Sequence, residues 1–111
     1  MLAKKNRLKK KKDFEKIFKE GKSFKEKFLI IKFLSNNLGY SRFGFIVSQK
    51  ISKKAVLRNK IKRRMTEAVR GEIKGFKKGI DAIFIALPGI ENQKFLEIKE
   101  IISNFFKKIN L

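Results

Sequence analysis

Leu57, Ile61, Met65 and Ala68 recur at i, i+4, i+8 and i+11, a spacing that aligns all four on one side of an α-helix beginning near Ala55. That stripe must face a core. Asn59, Arg63, Thr66 and Arg70 fall on the opposite side of the same helix, with Lys60, Lys62 and Arg64 on its flanks. A shorter helix comes earlier: Phe14, Ile17 and Phe18 share one face, Asp13 is placed to cap the start, and Gly21 ends it. Phe28 to Leu34 reads as a strand, mostly apolar on both faces, with Lys32 interrupting one of them. The turn-rich segment Ser35 to Ser41 leads into a second strand over about Arg42 to Gln49, and the two are expected to form a hairpin. The wider region Ser23 to Leu34 accommodates either a bend or two short strands.

In the second strand Phe43, Phe45 and Val47 share a buried face. On the other face Gly44 and Ser48 flank Ile46 and are small enough to leave room for a ligand backbone. Ala82 to Leu87 is apolar throughout and closed by Pro88 and Gly89, which predicts a central strand. Phe95, Ile98, Ile102, Phe105 and Ile109 then return to helical spacing, giving a last helix that covers the sheet. Together these elements predict an α/β (α+β) two-layer sandwich of about four strands, a single domain over residues 1–111.

Charge changes the picture more than composition does. The 111 residues are 42% hydrophobic, enough for one core, but 30 Lys and Arg against 10 acids leave a net charge of +20. Such a chain repels itself and favours a polyanionic partner. Residues 1–12 carry seven cations and no acid, and are expected to be mobile until they meet phosphates. Lys50 to Arg70 holds nine more cations and one acid, Glu67. Solvated helices usually mix signs to gain i,i+4 pairs, so this helix points to a nucleic-acid face and not to a merely solvated one. Asn59, a mediocre helix former among the cations, can donate to a phosphate and accept from a base edge.

With no Cys and no His, zinc sites, thiolate chemistry and imidazole bases are excluded. The close acidic pairs, Asp13 with Glu15 and Glu97 with Glu100, lie on predicted helices where capping and surface pairing account for them. Catalysis by this chain alone is not expected. Its apolar runs are too short to cross a bilayer, so a cytoplasmic protein is expected, with neither membrane nor DNA as partner. The sequence RFGFIV half matches an RNA-recognition-motif signature, but it lacks that signature's glycine before the first aromatic and its last aromatic.

AVLRNKIKRR resembles the Arg-Asn-Arg motif of the protein subunit of bacterial ribonuclease P. RLKKKKDFEKIFKEGKSF is similar to that family's first helix, and FGFIVSQKIS to its strand before the motif, in the same order and spacing. The resemblance implies a mixed sheet, αβββαβα order and a left-handed crossover through the basic helix. It also implies a protein that assists an RNA subunit in removing the 5′ leader of precursor tRNA, with the RNA and its Mg2+ ions performing the hydrolysis. Carried over, Arg58, Asn59, Lys60, Lys62 and Arg63 contact the RNA subunit, while Phe14 and Phe18, with Lys32, Ser48 and Lys50, line a cleft for the leader. Two positions depart from the motif: Lys60 stands in place of Arg, and Thr66 in place of a further Arg that many members carry. Arg64 and Arg70 are the candidates to compensate. The protein is expected to be monomeric outside the holoenzyme. The alternative is a ribosome-associated or general single-stranded RNA-binding protein with no part in cleavage.

Overall fold

The computed structural model describes residues 2–76 and 78–109. Helix α1 (Lys11–Glu20) is followed by strands β1 (Lys22–Glu26), β2 (Leu29–Ser35) and β3 (Arg42–Ile46), helix α2 (Ala55–Ile73), strand β4 (Ile80–Ala86) and helix α3 (Phe95–Ile109). The strands lie side by side in the order β1, β2, β4, β3. The first two pairings are antiparallel and β3 runs parallel to β4, so the sheet is mixed, as expected.

The expected hairpin between the second and third strands does not form. β4 takes the place between them, because it is buried at every position except the half-buried Ile85 and can only sit inside the sheet. The loop from β2 to β3 is built over the entrance of β4: the Asn36 amide N–H donates to the Gly79 carbonyl at 3.0 Å, and the Ser41 hydroxyl donates to the Lys78 carbonyl at 2.7 Å. β2 forms its hairpin with β1 instead, through a tight turn at Lys27, whose φ is +48°. Ser23 to Leu34 is therefore two strands.

Two expectations at the start of the chain are also revised. α1 begins at Lys11, no side chain caps it, and Asp13 lies inside its first turn with the carboxylate directed to Arg42. The basic segment before it is docked over the described residues. Leu2 and Leu8 are buried, Arg7 bridges to Phe43, and the Leu8 N–H donates to the Phe43 carbonyl at 2.9 Å. Two leucines among the cations supply the anchors, and the otherwise bare edge of β3 supplies the hydrogen bonds.

Successive strand residues face opposite ways, and the two faces of this sheet are covered unequally. One face packs against α2 and α3, with Phe43, Phe84 and Phe105 fully buried and Phe105 meeting Phe24, Phe33 and Phe84 edge-on at 5.3 to 5.9 Å. Among the described residues the other face carries only α1 and the docked N-terminal segment, packed through Ile17 and Leu8 onto Ile83. Much of that second face is left open.

Candidate RNA interface

Strand register lays out the open face in three rows: Leu34, Asp81 and Arg42, then Lys32, Ile83 and Gly44, then Ile30, Ile85 and Ile46. α1 lies across the first two. Ile17 is buried on Ile83, and Gly21 brings the helix end so close to β2 that an added Cβ would stand 2.9 Å from the Phe33 carbonyl. At the other end the ring of Phe14 rests on Gly44, where an added Cβ would be 2.6 Å from its Cζ. Phe14 therefore fills the space directly above Gly44, and the room that Gly44 does leave lies to the side, in a cavity at the edge of β3.

What remains open is the third row. Ile30, Ile46 and Ile85 are half-buried, as is Lys32 beside them, and Phe18, one turn on from Phe14, is 45% exposed. An exposed phenylalanine on the helix that crosses this face can offer its ring to the flat face of an unpaired base. Ser48 and Lys50 are exposed as well, but they lie beyond β3, which stops at Ile46 instead of continuing to Gln49. The Ser48 hydroxyl accepts the Lys50 amide N–H at 3.3 Å.

A half-buried ion cluster ties α1 to the sheet. Arg42 grips Asp81 with two parallel hydrogen bonds, Nε to Oδ1 at 2.9 Å and Nη2 to Oδ2 at 2.6 Å, and reaches Asp13 through Nη1 at 3.3 Å. Asp81 is 8% exposed, and its Oδ1 also accepts the side-chain amide of Asn36 at 2.8 Å. The Asp81 hydrogen bonds raise the pKa of Arg42 above its ordinary value, so the guanidinium stays charged. Sequence reasoning did not single out Arg42 or Asp81. The available signal was the acid itself: Asp81 interrupts an otherwise apolar strand, and a buried carboxylate there requires a cationic partner.

On the opposite layer α2 buries Ile61, Met65, Ala68 and Val69, with Leu57 half-buried, close to the stripe read from the spacing. Asn59, Lys60, Arg63 and Arg70 are exposed. The side chains of Asn59, Lys60, Lys62 and Arg63 have no partner among the described residues. Arg58 donates from Nη1 to the Ser52 carbonyl at 2.8 Å, which fixes it against the preceding loop. Arg64 is turned to the Gln93 carbonyl at 3.1 Å, and Arg70 pairs with Glu67 at 3.3 Å. Both candidates to compensate for Thr66 are thus engaged within the chain. Thr66 itself is half-buried and not outward as the helical spacing suggested, with its hydroxyl donating to the Lys62 carbonyl at 2.7 Å.

A mixed sheet with a cationic helix on one side and, on the other, a partly open aliphatic face crossed by the helix that carries Phe14 and Phe18 makes a small, strongly basic α+β domain of the class that meets a polyanion. A family model for ribonuclease P matches residues 2–110. The chain is 40% identical over 106 residues to the ribonuclease P protein component of Alkaliphilus oremlandii, covering 96% of this chain and 92% of that protein. It is 41% identical over 105 residues to the one from Clostridioides difficile, covering 94% and 91%. The RNase P protein of Staphylococcus aureus superposes with a TM-score of 0.83 at 32% identity, over 94% of each chain. That of Thermotoga maritima gives 0.83 at 34% identity, over 92% of this chain and 96% of the other. The chain belongs to the ribonuclease P protein family, the protein component of the endoribonuclease that matures tRNA 5′ ends together with an RNA subunit.

Proposed function

We propose that α2 docks on the RNA subunit and that the open sheet face beside α1 receives the 5′ leader of precursor tRNA. The observation that carries the first half is the set of polar side chains on α2, Asn59, Lys60, Lys62 and Arg63, that lack any partner among the described residues. Held side by side on a rigid helix, the cations among them repel one another until phosphates neutralise them. Arg58, immobilised by Ser52, presents its remaining donors to the same partner, and Arg64 and Arg70 flank the contact. Phe18, Phe14 and Lys32 supply stacking and charge for a single strand in the cleft, with Ser48 and Lys50 at its mouth.

In this reading the protein acts by positioning. The Mg2+ ions belong to the RNA subunit and substrate, and the chain's residues neutralise phosphates and orient the leader. The holoenzyme works in the cytoplasm, and the chain is monomeric outside it.

The test is cleavage of a precursor tRNA at limiting Mg2+ by the organism's own ribonuclease P RNA, with and without this protein. Rescue by the mixture, with no cleavage by the protein alone, is the expected result. Tight RNA binding without rescue would favour a general RNA-binding protein instead.

A further inference from the structure

The free edge of β3 opens into a slot of about 330 Å3 that connects the two sides of the sheet. Leu8 and Phe14 line it from the face that carries α1, and Phe45 and Thr66 from the face that carries α2. Arg7 and Lys62 are also in its lining, both half-buried. Arg7 spends its Nε on the Leu2 carbonyl at 2.8 Å, while its terminal nitrogens and the Lys62 ammonium have no partner among the described residues.

The backbone adds a third element. Phe43 turns its carbonyl outward to Leu8, and in a parallel ladder residues two apart point the same way, so the N–H and C=O of Phe45 also face the free edge. Because β3 ends at Ile46 and Leu8 already occupies Phe43, the stretch left bare is too short to add a polypeptide strand. It is long enough for the edge of one base.

An apolar slot with an aromatic wall, a bare donor and acceptor, and two unneutralised cations matches a nucleotide: a flat ring, a polar edge and a phosphate. We propose that this slot receives one unpaired nucleotide of the RNA subunit, its base stacked on Phe45 and its phosphate held by Arg7 and Lys62. The RNA subunit is the source because Lys62 and Thr66 stand on α2, so the slot continues the surface assigned to that RNA. This rests on the function proposed above. Thr66 then has a use: a long arginine at this position would fill the slot, and the smaller threonine keeps it open.

The experiment is ultraviolet cross-linking of the protein with its RNA subunit alone, followed by mass spectrometry of the digested complex. The expected result is a nucleotide adduct localised to Phe45 within the peptide Phe43 to Lys50, formed before precursor tRNA is added. Phe45→Leu should remove the adduct and weaken RNA-subunit binding roughly tenfold. Adducts on α2 peptides with none at Phe45, or an adduct at Phe45 that forms only when precursor is present, would overturn the slot assignment and leave the α2 interface standing. No adduct anywhere on the chain would overturn the α2 interface and the slot together. The wild-type cross-link decides the matter even where the variant is poorly folded.

Discussion

The ring of Phe14 rests directly on Gly44, so close that a single added carbon at position 44 would stand 2.6 Å from Phe14 Cζ. One helix and one strand therefore set each other's position. Gly44→Ala is expected to displace the ring and cost about 1 to 3 kcal/mol of stability. Urea unfolding measures the cost, and competition between precursor and mature tRNA should show a reduced preference for the leader.

Phe14 and Phe18 should separate stability from recognition. Phe18, 45% exposed, contributes little to the core, so Phe18→Ala should leave stability within about 0.5 kcal/mol of the parent. Its removal should weaken leader binding by about 1 to 3 kcal/mol if a base stacks there. Phe14→Ala should lower both. Equal binding of precursor by Phe18→Ala and the parent would remove Phe18 from the cleft.

Arg42 joins α1 to the central strand, and its two partners are not equivalent. Removing the buried partner, Asp81→Ala, is expected to cost about 3 to 5 kcal/mol, because the guanidinium is deprived of its two closest bonds. Asp13→Ala breaks only the 3.3 Å interaction and should cost about 1 kcal/mol or less. It should still loosen the first turn of α1 and reduce leader selectivity. A double-mutant cycle between Asp13 and Arg42 measures that coupling.

On α2 the unpartnered cations should dominate the salt dependence. Arg63→Ala should reduce the slope of log affinity against log salt by about 0.9 with stability unchanged, the amount that one neutralised phosphate adds. Arg70→Ala should change it less, since Arg70 is already paired with Glu67. Lys60→Arg should strengthen binding, because arginine offers the planar fork that lysine lacks. An unchanged slope for Arg63→Ala would exclude that residue from the interface.

Docking of the N-terminal segment has its own test. Leu8 is buried against Ile17 and Ile83, so Leu8→Ala is expected to cost about 2 kcal/mol or more. A freely mobile segment would show no cost.

The helices were legible because their signal is local. Ile61, Met65 and Ala68 repeat within one continuous segment, and the outward placement of Asn59, Lys60 and Arg63 follows from the same period. β4 was legible as an inner strand because it is apolar on both faces. Its neighbours were not. Periodicity states which face of a strand is buried, and it carries no information on which strand lies beside it, so the β2–β3 hairpin was a reasonable expectation and a wrong one. Thr66 was misplaced for a related reason: a helical wheel shows the helix alone, whereas Thr66 shares its slot with residues of the N-terminal segment.

The sequence by itself determined a single basic α+β domain, a cationic helix with one apolar stripe, and the motif that marks the family, all of which depend on composition and on residues a few positions apart. Only the tertiary structure decided that Phe14 fills the space above Gly44, that Arg42 clamps Asp13 to Asp81, and that Arg7 and Lys62 line one slot. Those relations join residues 29 and 39 positions apart in the Arg42 cluster alone. Such pairings form when apolar faces far apart in the chain are buried against one another, and that choice belongs to the packing of the whole sheet, not to any local pattern.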